Sequence, residues 1–202
     1  MALTWVLAGN SNNLKIGKSA MLSRRSTGFR AVLLLMVILP IGVVAALGDY
    51  ITAEDYLNRV FWGELPASNT VWLTGERKQR AEEILGHKPG VLRMRYWGDQ
   101  SRSAWIVDEI GKTEPITIGI VIGDSKIEEI EVLAFRESRG WEIKHDFFTR
   151  QFRGAFIEQQ QRLDRSIDGI SGATLSVNAM TKVSRLVLYL AESIGNPKTD
   201  LY

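Results

Sequence analysis

The chain of 202 residues contains no cysteine. That excludes a disulfide framework, a thiolate zinc centre, an iron–sulfur cluster and a covalently attached c-type haem. Histidine is nearly absent as well. His87 stands before Lys-Pro and His145 before Asp, and both read as exposed turn residues rather than ligands or bases. No metal site is therefore expected. The sequence also lacks a Ser/His/Asp set and a nucleotide-binding glycine loop, so no catalytic residue is assigned. A protein of this composition that moves electrons needs a cofactor held without a cysteine tether, and a second protein to exchange them with.

Acidic residues are missing from the first 48 positions, which carry Lys15, Lys18, Arg24, Arg25 and Arg30. Ala31 to Gly48 (AVLLLMVILPIGVVAALG) carries no charge at all. The positive-inside rule then predicts a cytoplasmic N-terminus and an exported remainder. Two readings fit this segment. One is a retained transmembrane anchor, although 18 residues is at the short end of the roughly 20 a helical span needs. The other is a signal segment cut near Ala46-Leu47-Gly48, which has a small-x-small pattern. The Ser23-Arg24-Arg25 pair resembles a twin-arginine signal, but Ser26, Thr27 and Gly28 do not suit one. Residues 49–202 hold 20 basic and 23 acidic residues, a balance of −3. The isoelectric point of about 8.9 thus belongs to the leader. Nucleic-acid binding loses its electrostatic basis.

Along the exported part, Asp49 to Trp62 has Tyr56, Leu57, Val60 and Phe61 at helical spacing. Gly63 to Asn69 reads as a loop containing Pro66, and Thr74 to Leu85 as a second helix ended by Gly86. Strand patterns follow at Val91 to Trp97 and Ser103 to Val107. Ile116 to Ile122 (ITIGIVI) is apolar almost throughout, as a central strand would be. Gly123-Asp124-Ser125 reads as a tight turn into Lys126 to Phe135, which makes a hairpin. Glu128, Glu129 and Glu131 read as a solvated strand face. Gln151 to Leu163 is polar, helical or loop. Leu175 to Ile194 carries a continuous apolar face and is stopped by Gly195-Asn196-Pro197. The layout predicts an α+β domain, a small antiparallel sheet with helices packed against one side. The expected divisions are a basic cytoplasmic segment 1–30, the anchor or signal 31–48, a helical membrane-proximal segment 49–87 and a domain 88–202.

Three segments carry chemistry. Asp168-Gly169-Ile170-Ser171-Gly172-Ala173-Thr174 places hydroxyls among small residues just ahead of the last helix. A helix N-terminus suits a phosphate, because its amides are unpaired and the dipole is positive there. The same residues also fit an ordinary Asp-Gly turn and helix cap. Thr174 has no activating base in view, so it reads as an acceptor for another enzyme rather than a catalyst. Glu137-Ser138-Arg139-Gly140-Trp141 follows the hairpin. There Gly140 would admit a flat ligand, Trp141 would offer a stacking surface, and Arg136 and Arg139 would face a phosphate or a pyrimidine edge. Asp108 to Pro115 is a turn into the central strand.

In this order, from about Lys88 to Ile194, the segments resemble the FMN-binding domain family. Its members include the C subunit of the sodium-translocating NADH:quinone reductase and the G subunit of the Rnf complex. Asp-x-x-Ser-Gly-Ala-Thr is similar to the family's flavinylation signature. The resemblance implies that Thr174 carries FMN through a phosphoester made from FAD by a separate flavin transferase. It further implies cofactor contacts at Asp168, Ser171, Gly172, Ala173 and Leu175. The loop at Glu137, Ser138, Gly140 and Trp141 resembles a Glu-Thr-Pro-Gly-Leu loop lying against the isoalloxazine ring. Ser138, Arg139 and Trp141 depart from that pattern, which points to a stand-alone carrier. The implied protein is a flavoprotein of the bacterial inner membrane with its FMN domain on the periplasmic side. It would relay electrons between donor and acceptor proteins and would not be a self-contained enzyme. Two alternatives are an exported binding or assembly module without covalent flavin, and a reductase domain acting on a small exported substrate.

Overall fold

The computed structural model describes residues 50–194. The apolar segment at 31–48 and the stop at residues 195–197 lie outside them. Among the described residues no helix is long and apolar enough to cross a membrane. Five strands form one antiparallel sheet in the order β1 (Ser68–Trp72), β2 (Arg93–Gly98), β3 (Arg102–Ile110), β4 (Pro115–Gly123) and β5 (Lys126–Ala134). Neighbours in sequence are neighbours in space: short turns join β2 to β5 in succession, while residues 73–92, which include a helix, link β1 to β2. The β4–β5 turn is the tight one expected. Asp124 and Ser125 both have positive φ (48° and 58°), the geometry that matches the twist of a two-residue hairpin loop.

β4 explains most of the packing. Ile116, Ile118, Ile120 and Ile122 face one side of the sheet and belong to the main core. On that side lies α4 (Thr174–Ile194), which buries Val177, Met180, Val183, Leu186, Val187 and Leu190. α2 (Gly75–Leu85) packs against α4 and ends at Gly86, whose left-handed φ of 76° closes the helix. The opposite face of β4 is covered too. Tyr56, Leu57 and Val60 of α1 (Ala53–Val60) pack with Ala104, Val121 and Leu133 in a second core.

The domain is thus α+β with a five-stranded antiparallel sheet, as the patterning implies, but helices cover both faces rather than one. The physical reason is legible in β4 itself, because a strand wet on one face would alternate whereas this one is apolar on both. A second difference lies in residues 49–87, expected to be helical. They include β1, which pairs with β2 along Ser68–Trp72 opposite Trp97–Arg93. Only Val71 of β1 is buried, so the strand gives almost no alternating signal. The Glu128, Glu129 and Glu131 cluster is a charged face, and it is paired. Arg59 of α1 bonds Glu131 and meets Glu129 at 3.2 Å, while Arg102 meets Glu128 at 2.8 Å. Among the described residues no group of acidic or histidine side chains is arranged to hold a metal.

Candidate functional site

The loop before α4 is shaped by three residues. Ile170 packs on the main core and its carbonyl accepts from the Ala173 amide at 3.0 Å. Gly172 turns the chain with φ +81°, and nothing lies within 4 Å of where its Cβ would stand. The Ala173 carbonyl accepts the first helical bond, from Val177 at 2.9 Å, which makes Ala173 the N-cap. An alanine cap supplies no side-chain oxygen. Among the described residues nothing accepts from the amides of Thr174, Leu175 or Ser176. Thr174 is therefore the first helical residue and not the cap, and its side chain is exposed.

A second loop, from the end of β5, meets this one. Gly140 has φ +88°, and a Cβ there would come within 3.0 Å of the Ala173 methyl and 3.6 Å of Ser176 Oγ. The two small residues let the two loops close on each other. A third piece is the turn between β3 and β4. Glu137 reaches across to it, and one carboxylate oxygen accepts the amides of Lys112, Thr113 and Glu114 at 2.7, 2.6 and 2.9 Å. The other oxygen accepts the Thr113 hydroxyl at 3.1 Å. The amides of Glu114 and Thr113 dominate in holding the Glu137 carboxyl down, lowered to about 2.

Together the three pieces enclose an open cleft of about 560 Å³, within the range of small-molecule sites. It is lined by Lys112, Glu137, Ser138 and Arg139 on one side and by residues Gly172 to Ser176 on the other. Neither Lys112 nor Arg139 has an ion-pair partner among the described residues. An anion-favouring helix end, two cations and an exposed hydroxyl thus share one cavity.

Of the residues expected from sequence, the cleft brings together Thr174, Gly172, Ala173, Leu175, Glu137 and Ser138. Gly140 stands behind Ala173, and Ala173 itself is buried, so its methyl fills the contact between the loops. Asp168 and Ser171 are exposed and outside the lining, where the Asp168 amide donates to Gln151 Oε1 at 2.7 Å. Trp141 is half exposed and also lies outside it. Its ring meets His145 edge-on at 4.9 Å, and His145 stacks on Phe147. Arg136 is used elsewhere, bonded to the Pro115 carbonyl and Thr117. Lys112 and Ser176 are lining residues that sequence reasoning passes over. A Gly-Lys-Thr turn carries no signal until Glu137 is seen to bind it.

Histidine 87 is exposed as expected but not idle. It bonds the Lys88 carbonyl at 2.9 Å and Glu109 at 2.7 Å, and these contacts raise its pKa.

Residues 111–188 match the family model described as the FMN-binding domain. Over that stretch the chain is similar to the FMN-binding domain family. No curated protein and no solved structure matches the chain. The match opens at Gly111, in the turn that Glu137 holds, and runs into α4. It takes in the whole lining of the cleft. The lining fits a flavin nucleotide on the chemistry of its donors, with amides and cations for a phosphate and small residues beside a planar ring.

Proposed function

We propose that the protein is a membrane-anchored, extracytoplasmic flavoprotein. It holds FMN covalently on Thr174 and relays electrons between partner proteins. The observation that carries the reading is Thr174 at the first helical position. Its side chain is exposed to a modifying enzyme, and the amides around it have no acceptor among the described residues. In maturation a flavin transferase would pass the FMN moiety of FAD to the Thr174 oxygen. The new bond joins that oxygen to the phosphorus, the pyrophosphate bond breaks, AMP leaves, and the hydroxyl proton goes to the transferase or solvent.

Bound there, the flavin would supply reversible two-electron and one-electron chemistry. The chain's contribution is to orient and retain it. The α4 amides from Thr174 to Ser176 would face the phosphate, and Ser138 would border the ring. No residue of the cleft is positioned as an acid or base for a second substrate, which favours a carrier over a reductase. Export and anchoring rest on the basic leader and the apolar segment 31–48. A covalent bond suits that setting, because a loosely held cofactor lost outside the cytoplasm is not replaced.

The test is co-expression with a flavin transferase, followed by a denaturing gel read for flavin fluorescence. The parent chain gives a fluorescent band and Thr174→Ala does not. A dark parent band overturns the covalent reading, and a fluorescent Thr174→Ala moves the attachment elsewhere.

A further inference from the structure

The Glu137 carboxylate sits at the cleft but is not free to contact a ligand. One of its oxygens takes three consecutive backbone amides, Lys112 to Glu114, and Gly111 makes room for it. A Cβ on Gly111 would stand 2.9 Å from Ile116 Cδ1 and 3.3 Å from that oxygen. This clamp orders the β3–β4 turn. Its consequence is to fix Lys112 on the wall opposite the α4 N-terminus, with exposed Arg139 beside it on the Glu137 loop. Arg59, Arg102 and Arg165 pair with carboxylates elsewhere on the domain, while among the described residues the two cleft cations have none. The cleft's single acidic side chain is already occupied by amides.

We propose that Lys112 and Arg139 recognise the phosphate of the flavin nucleotide at the start of α4, and that Glu137 is the positioning residue that presents Lys112 to it. This rests on the cleft being the flavin site. The phosphate is the one part of FMN that a cation pair and three free amides would select over the neutral ring. Glu137, whose place in sequence suggests a ring contact, acts through Lys112 instead.

The experiment compares FMN with riboflavin, which shares the ring and ribityl chain but lacks the phosphate. Full-length Thr174→Ala in detergent is titrated with each ligand by fluorescence quenching. The expected result is a clear preference for FMN. Adding Lys112→Ala or Arg139→Ala weakens FMN binding about tenfold, the lower end for loss of a charged hydrogen bond, and leaves riboflavin unchanged. Adding Glu137→Ala reduces the FMN preference, and Glu137→Gln, which keeps an oxygen for the three amides, restores it. Equal losses for both ligands, or no FMN preference in Thr174→Ala, overturn the proposal. The covalent reading fails separately. A dark gel with the FMN preference intact removes the phosphoester and keeps the phosphate site, and a fluorescent gel without the preference does the reverse.

Discussion

Gly140 and Ala173 are the point at which two distant stretches of chain become one site. The glycine has φ +88° and faces the alanine methyl at a distance that leaves no room for a side chain. Gly140→Ala therefore combines left-handed strain of about 1–2 kcal/mol with a forced separation of the loops. Urea denaturation is expected to show a loss of at least that size, and wild-type stability would contradict the contact. Glu137 gives a prediction in pH. Its carboxyl is lowered from 4.5 to about 2, chiefly by the Glu114 and Thr113 amides. A depressed carboxyl stabilises the fold fully above its unfolded value and loses that contribution as pH falls towards the folded one. The stability difference between wild type and Glu137→Gln is thus constant from pH 7 to about 5, then shrinks between about 4.5 and 2. A difference independent of pH across that window would show that the carboxylate does not hold the turn.

At the scale of elements, α1 and β4 share a close fit. The Tyr56 ring lies over Gly119, where a Cβ would meet its atoms at 2.5 to 2.8 Å. Gly119→Val cannot be placed without lifting α1 from the sheet. Overpacking of this kind typically costs 1–3 kcal/mol. The expected outcome is a lower melting temperature with faster amide exchange in Ala53–Val60, and α4 less affected. Unchanged exchange in α1 would mean the helix is held by other contacts. These elements also mark what the sequence discloses. The β4–β5 hairpin and the long α4 are legible from their strong apolar periods, and α2 from its Gly86 stop. β1 is not, since an edge strand with one buried side chain has no pattern to read. The second covered face is present in the apolarity of β4, but which element covers it depends on how α1 packs.

At the scale of the whole molecule, the meander brings the β3–β4 turn and the end of β5 to one end of the sheet, and α4 begins there too. That convergence creates the cleft. The Asp168–Thr174 signature locates one wall of it from sequence, because a hydroxyl beside a helix start has a recognisable form. The opposite wall is hidden. Lys112 and Glu137 are 25 residues apart, and only the β-sheet register brings them together. Trp141, which the sequence offers as a stacking surface, lies outside the cleft lining and meets His145 edge-on. The proposed role as an electron carrier depends on the flavin being there and staying there. Mass mapping of the protein after co-expression with a flavin transferase tests this most directly. The account predicts an FMN phosphoester on the peptide containing Thr174, retained through denaturation and absent from Thr174→Ala. Flavin that dissociates on denaturation, or that maps to another residue, would contradict it.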